Sequence, residues 1–170
     1  MRDYYKKLYQ KNFAFYERHP RAKRTLFIGN LALTGVFALA YFAFVLYALF
    51  LPMPVRDTVK ILFIPAFGAV CVAFLRPLID RPRPYSELGA NVTPILHKKS
   101  KDKESFPSRH VTCAVAISLC FLPYLTGAGI FLLAFSCALA YVRFALGLHY
   151  PSDLIGGATV GLLCGLFLLL

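Results

Sequence analysis

Residues 25–55 form one continuous stretch without a single acidic or basic side chain. A helix needs roughly 20 apolar residues to cross the hydrocarbon core of a bilayer, so this run is long enough to span a membrane. Further apolar blocks follow, and they cover residues 57–79, 110–125, 128–148 and 152–170. A soluble helical bundle is the alternative, but a small soluble domain could not hide five such segments from water. The sequence therefore predicts an all-α integral membrane helical bundle with about five transmembrane helices.

The first 24 residues have a different composition, with eight Lys or Arg and two acidic residues. Their apolar and aromatic side chains recur at helical spacing, at Tyr5, Leu8, Tyr9, Phe13 and Tyr16. This pattern predicts a basic amphipathic helix on the membrane surface, anchored by its aromatic residues and by anionic lipid headgroups. We therefore divide the chain into a surface helix, 1–24, and a single transmembrane domain, 25–170. The net charge of +11 indicates a membrane surface and an anionic substrate rather than nucleic acid.

Polar residues gather at the ends of the predicted spans, in residues 76–84, 107–110 and 143–153. The number of intervening spans places these three stretches on the same side of the membrane. The candidate phosphate-binding residues are Arg76, Arg83, Ser108, Arg109 and Arg143. Asp80 and Asp153 are the only acids nearby, too few to neutralise these cations. An anionic ligand most simply supplies the missing charge, and guanidinium groups match phosphate oxygens.

Two histidines in these stretches are candidate catalytic residues. Asp153 follows His149 by four residues and is expected to accept the Nδ1–H of its imidazole. A bare Nε2 would then act as a nucleophile or as a general base, while His110 could protonate a departing alkoxide. A metal site built from these residues is disfavoured because the arginines repel a divalent cation. Ser108 activated by His110 is also disfavoured, since residues two apart on a helix do not face each other.

The three stretches resemble the signature motifs of the type 2 phosphatidic acid phosphatase family, which is the membrane branch of the superfamily of bacterial acid phosphatases and vanadium haloperoxidases. The first motif, a basic residue followed after six positions by Arg-Pro, matches Arg76 and Arg83-Pro84. The second, Pro-Ser-x-His, matches residues 107–110. The third, Arg and His separated by five residues and then Asp after three more, is met in residues 143–153.

The resemblance implies a lipid phosphate phosphohydrolase that needs neither metal nor cofactor. By it, His149 forms a phosphohistidine, Asp153 orients His149, and His110 protonates the leaving group. Arg76, Arg83, Arg143 and Ser108 would hold the phosphoryl oxygens. The chain departs from the family pattern with Arg76 where lysine is usual and Arg109 where glycine is common.

The apolar scaffold suggests a lipid substrate, namely phosphatidic acid, phosphatidylglycerophosphate or undecaprenyl pyrophosphate. The alternative is a non-catalytic lipid-phosphate binding or transport protein on the same scaffold. We expect a bacterial cell membrane protein, and the basic N-terminus favours a cytoplasmic site under the positive-inside rule. The oligomeric state stays open. The long connection in residues 85–105 has the length of a lid or a substrate-selecting segment.

Overall fold

The computed structural model of the chain describes residues 2–51, 53–87 and 103–167. Within these ranges the backbone forms helices, turns and bends and no β-strand, which confirms the all-α prediction. The helices are α1 (Arg2–Arg18), α2 (Pro20–Phe50), α3 (Val55–Ile79), α4 (Pro84–Glu87), α5 (Arg109–Phe121), α6 (Thr126–Ala145) and α7 (Pro151–Leu166). Most of the connection at 85–105 lies outside the described residues.

Three helices, α2, α3 and α6, are long and apolar enough to cross a membrane. With 31 residues, α2 is roughly 46 Å long at the usual helical rise, which exceeds the hydrocarbon thickness of about 30 Å. Helices α5 and α7 are apolar but shorter, with 13 and 16 residues. The chain is therefore an integral membrane protein, and the number of five spans stays a prediction.

Small residues allow α7 to lie directly against α5. A Cβ atom at Gly157 would stand 2.6 Å from the Ser108 carbonyl oxygen, and one at Gly161 would stand 2.7 Å from that of Thr112. Such distances leave no room for a side chain, so glycine is required on this face of α7. The Thr112 hydroxyl also donates a hydrogen bond of 2.9 Å to the carbonyl oxygen of Gly157. This close packing holds together the two helix starts that carry the second and third motifs.

Helix α1 contacts the protein through part of the face that was expected to meet lipid. Tyr9 and Phe13 are 1% and 5% exposed, and they cluster with Tyr150 and Phe144. The helix ends at Arg18, and α2 begins at Pro20, a residue that suits the first turn of a helix because it lacks an N–H group. Residues 20–24 thus continue into the first long helix. Binding of α1 to anionic headgroups stays a prediction.

Candidate active site

The three motif stretches meet at one end of the bundle. Arg76 lies in the last turn of α3, Arg143 lies in the last turn of α6, and Ser108 immediately precedes α5. The buried members of the cluster are all 8% exposed or less, and they are Arg76, Arg83, Ser108, Arg143, His149 and Asp153. Arg83 and Arg143 lie within electrostatic reach of His149, and Arg143 and His149 lie within reach of His110. The structure therefore brings the sequence-predicted residues into one region.

His149 is fixed in position by a partner that the sequence did not indicate. Its Nδ1 atom lies 2.8 Å from the carbonyl oxygen of Ser105, whereas the nearest carboxylate oxygen of Asp153 is 3.8 Å away. The expected direct hydrogen bond to Asp153 is thus replaced by one to a backbone carbonyl. Because a carbonyl oxygen only accepts, Nδ1 must carry the hydrogen. In the neutral imidazole Nε2 is then left with a free lone pair.

Burial lowers the pKa of His149 to about 4, and the charges of Arg83 and Arg143 act in the same direction. The imidazole is therefore neutral at pH 7. A neutral, oriented imidazole with a free Nε2 lone pair can act as a nucleophile or as a general base.

Asp153 organises the residues around His149 rather than binding its ring directly. One carboxylate oxygen accepts hydrogen bonds from the Ser105 hydroxyl and, at 2.8 Å, from the Tyr150 backbone N–H. The other oxygen forms a 2.8 Å ion pair with Nη1 of Arg81. Ser105 thus links the two residues, because its hydroxyl donates to Asp153 and its carbonyl oxygen contacts Nδ1 of His149.

Two residues of this network were not among the candidate phosphate-binding or catalytic residues. Arg81 donates to Asp153 and, at 2.7 Å, to the hydroxyl of Ser152, and its guanidinium carbon lies 4.3 Å from the centre of the Tyr150 ring. Its position among the basic residues before Arg83 was a usable signal. Ser105 gave no such signal, because the atom that binds His149 belongs to the backbone.

The arginines retain unused hydrogen-bonding capacity. Arg76 donates from Nε and Nη2 to the Pro107 carbonyl oxygen at 3.1 and 3.0 Å, and Arg83 donates from Nη1 to that of Leu148 at 3.4 Å. Yet Nε of Arg83 and Nε of Arg143 are buried without a hydrogen-bond partner. Buried polar groups are normally paired, and an unpaired one costs about 1–3 kcal/mol. These donors are thus available to a ligand.

The side chain of Ser108 is also available to a ligand. It occupies the N-cap position of α5, but its side chain makes no capping hydrogen bond, and its Oγ atom is buried without a partner. Its backbone N–H donates to the carbonyl oxygen of Asp153 at 2.9 Å, which ties α5 to the start of α7. The free hydroxyl and the first N–H groups of α5 can therefore serve an anion.

A cavity of about 400 Å³ lies beside the start of α5. Arg109, which is exposed, and His110, which is half-buried, contribute polar walls. The remaining lining is mainly apolar and includes Cys113 and Ile117, one and two turns further along α5. The cavity thus runs from the polar residues along α5 into the apolar bundle, where a hydrocarbon chain would fit.

The donor set does not favour a resident cation. In residues 2–51, 53–87 and 103–167, no group of three or more His, Cys, Asp or Glu side chains is arranged to hold a metal ion. The charged groups that are buried in these ranges are instead three guanidinium groups, from Arg76, Arg83 and Arg143, and the carboxylate of Asp153. This excess of buried positive charge suits the binding of an anion rather than a cation.

Fold and site together define a helical membrane protein with a buried cluster of arginine and histidine at one end of its bundle. Comparison with known sequences agrees with this description, because the signature of the PAP2 superfamily matches residues 57–170. The chain belongs to the PAP2 superfamily.

One curated relative is the lipid A 4'-phosphatase of Bacteroides thetaiotaomicron, which is 35% identical over 96 residues. The match includes 54% of this chain and 43% of that protein. The chain thus spans less than half the length of the curated relatives that it matches.

Two solved structures share the fold. The crystal structure of Aquifex aeolicus LpxE superimposes with a TM-score of 0.71 at 21% identity, and covers 96% of this chain and 93% of its own. The transmembrane PAP2 type phosphatidylglycerolphosphate phosphatase of Bacillus subtilis gives a TM-score of 0.75 at 18% identity, with coverage of 98% and 83%. At this identity the likeness is one of fold.

Proposed function

We propose that this protein is a membrane lipid phosphatase that hydrolyses a phosphomonoester or pyrophosphate of a lipid through a phosphohistidine at His149. The observation that carries the proposal is the set of buried atoms without partners. Of the four such side-chain atoms in the described part of the chain, three lie in the motif stretches: Arg83 Nε, Ser108 Oγ and Arg143 Nε. Three donors from three separate stretches fit the oxygens of one tetrahedral phosphoryl group.

The charge balance supports the same ligand. Asp153 is already paired with Arg81, and among the described residues none of the buried guanidinium groups of Arg76, Arg83 and Arg143 forms a salt bridge with a carboxylate. A phosphoryl group carries up to two negative charges, and planar guanidinium groups bind its oxygens in pairs. The start of α5 adds free N–H groups and the positive end of a helix dipole.

The proposed reaction has two displacements at phosphorus. Nε2 of His149 attacks phosphorus, the phosphorus–oxygen bond to the lipid breaks, and His110, which the bound phosphoryl anion keeps as the imidazolium, gives its proton to the departing oxygen. Water then attacks the phosphohistidine, His110 takes the proton from that water, and phosphate and neutral His149 are regenerated. The arginines stabilise the charge that spreads over the phosphoryl oxygens, which is the main catalytic task in phosphoryl transfer. This role makes the reaction independent of a metal ion.

A lipid phosphate is the substrate class that suits the surroundings. The cavity beside His110 is mainly apolar, so the hydrocarbon part of a lipid would lie next to the oxygen that His110 protonates. Phosphatidic acid, phosphatidylglycerophosphate, undecaprenyl pyrophosphate and lipid A are candidates, the last because a relative is named for it. A binder or transporter that keeps the arginines is the rival function.

The test is phosphate release from these four lipids in detergent micelles with EDTA present. We compare wild type with His149→Ala and His110→Ala, and we use His19→Ala, at an exposed histidine between α1 and α2, as the matched control. We expect metal-free turnover of at least one lipid, a loss of at least about a thousandfold in His149→Ala, and a loss of about a hundredfold or more in His110→Ala. Wild-type binding without turnover, or full turnover in His149→Ala, would contradict the proposal.

We further propose that the site opens to the cytoplasmic face of a bacterial cell membrane. Helix α1 touches His149, so the N-terminus lies on the side of the site. Its Lys7 and Lys11 are exposed, and basic residues are enriched on cytoplasmic segments. A reporter that fluoresces only in the cytoplasm, fused to the N-terminus, should be bright in cells. A dark but full-length fusion would place the site on the outer face.

A further inference from the structure

The N-terminal helix makes a hydrogen bond to the backbone of the proposed nucleophile. The Tyr9 hydroxyl donates to the carbonyl oxygen of His149 at 2.8 Å, across 140 positions of sequence. Both residues are 1% exposed, so the bond is shielded from water. Burial also raises the pKa of the Tyr9 hydroxyl well above its usual range, which keeps it protonated as a donor.

The ring of Tyr9 packs against aromatic neighbours from two other parts of the chain. Its centre lies 5.3 Å from that of Phe144 in α6 and 5.9 Å from that of Tyr150, the residue after His149. These contacts restrict the ring, so the hydroxyl is directed by packing rather than by the hydrogen bond alone.

Phe13, one helical turn from Tyr9, covers the beginning of the same loop. Gly147 has φ +68°, and a Cβ atom there would collide with the Phe13 ring. The loop at 147–150 is thus held by α1 at its glycine and at the carbonyl of His149. The imidazole is held separately, by the Ser105 carbonyl oxygen.

We propose that Tyr9 is a positioning residue, which sets the direction of the His149 imidazole through the hydrogen bond from its hydroxyl to the His149 carbonyl oxygen. This inference rests on the proposed function, because it assigns Tyr9 to the reaction proposed for His149. The peptide that joins His149 to Tyr150 donates its N–H to Asp153 at 2.8 Å, and Tyr9 holds its carbonyl oxygen. Without the bond from Tyr9 this peptide can turn about its N–H contact, and the line from Nε2 to phosphorus turns with it. Attack in a displacement reaction is sensitive to this line.

The experiment compares two variants that each remove one hydroxyl from α1. Tyr9→Phe keeps the ring and removes the donor. Tyr5→Phe is the matched control, since Tyr5 lies one turn away and also packs against Tyr150, with ring centres 6.3 Å apart. Hydrolysis of dioctanoyl phosphatidic acid and farnesyl diphosphate in detergent micelles gives kcat and KM, with wild type and His149→Ala alongside.

We expect kcat of Tyr9→Phe to fall roughly tenfold to a hundredfold with KM changed by less than about twofold, because geometry at the nucleophile is lost while phosphate binding is kept. Tyr5→Phe should retain the wild-type kcat and KM. Rates are normalised to the monodisperse folded protein, so a loss of folded material does not count as a loss of kcat.

A third variant, Tyr9→Leu, removes both the ring and the hydroxyl. If Tyr9→Phe matches wild type and only Tyr9→Leu loses activity, Tyr9 acts through packing and the inference is overturned. A rise in KM without a fall in kcat in Tyr9→Phe would overturn it as well. If wild type hydrolyses neither of these lipids, the same variants are compared on whichever of the four candidate lipids it turns over. If it turns over none of them, the proposed function and the inference fail together. If wild type is active and His149→Ala is inactive, the proposed function stands. An unchanged kcat in Tyr9→Phe would then reject only the inference about Tyr9.

Discussion

Helices α2 and α5 are both apolar, yet they are used in opposite ways. Nine of the 13 residues of α5 are buried, whereas only four of the 31 residues of α2 are buried. Large side chains of α2 such as Leu39 and Phe50 are 72% and 84% exposed. In a bilayer such side chains contact lipid tails, so they need no protein partner.

The difference shows that the burial of a helix in this protein depends on how closely a neighbouring helix approaches it, and not on how apolar the helix is. Helix α5 contains Thr112 and Ser118, both fully buried and hydrogen-bonded. It is enclosed because the glycines of α7 let a neighbouring backbone come near, and the same closeness places Ser108 beside Asp153. The short helices α5 and α7 therefore bring Ser108 and Asp153 together. The long helices α3 and α6 add Arg76 and Arg143 at their ends, whereas α2 mainly presents its side chains to lipid.

The largest predicted effect is on the free energy of unfolding, and it comes from adding one methyl group to a glycine of α7. In Gly161→Ala the new Cβ would press on the Thr112 carbonyl oxygen and on Val115, so we expect a loss of about 1–3 kcal/mol in unfolding free energy. Gly35→Ala in α2 is the matched control, since no atom outside the adjoining backbone of its own helix lies within 4 Å of its Cβ position. Alanine is the better helix former, so this variant should be neutral or more stable by up to about 1 kcal/mol.

Thermal and denaturant unfolding in detergent measures both variants. Equal stability of Gly161→Ala and Gly35→Ala would show that the two helix surfaces are equally tolerant, and the comparison would fail.

A smaller effect is expected from Ser108→Ala, measured as kcat/KM. The Ser108 hydroxyl has no partner within the protein, so its removal should leave the melting temperature unchanged. If the hydroxyl binds a phosphoryl oxygen, kcat/KM should fall about tenfold, which corresponds to the lower end of the roughly 1.5–3 kcal/mol of a hydrogen bond to a charged group. Thr25→Ala in α2, which removes an exposed hydroxyl bonded to the Arg21 carbonyl oxygen, is the control and should keep full activity. Lower stability of Ser108→Ala with unchanged kcat/KM would assign the serine to structure alone.

Much of the helical framework was predictable, because the lengths of the apolar segments and the positions of the prolines indicate where helices begin and end. The predicted span at 57–79 corresponds to α3, Val55–Ile79, and the one at 152–170 corresponds to α7, which begins at Pro151. The end of the predicted span at 110–125 was less accurate. Helix α5 ends at Phe121, because Pro123 and Tyr124 turn the chain while the composition stays apolar. Hydropathy cannot detect such a turn.

The site was predictable in its members and less so in its contacts. The spacing of Arg143, His149 and Asp153 indicated a cluster, and the structure brings these residues together. The link from His149 to the Ser105 carbonyl oxygen joins backbone and side chain across 44 positions, which no residue pattern encodes. The sequence did not predict the burial of Tyr9, because the apolar face of an amphipathic helix can contact lipid or protein equally well.

The central claim is that His149 carries the phosphoryl group during turnover, and rapid-quench labelling tests it most directly. Wild type is mixed with a substrate labelled in its terminal phosphate, quenched in alkali within one turnover, digested and analysed for phosphorylated peptides. We predict a label on His149 that forms and decays at rates able to support turnover, and none in His149→Ala. Turnover by the wild type with label on another residue, or with no labelled protein at any time, would contradict the account.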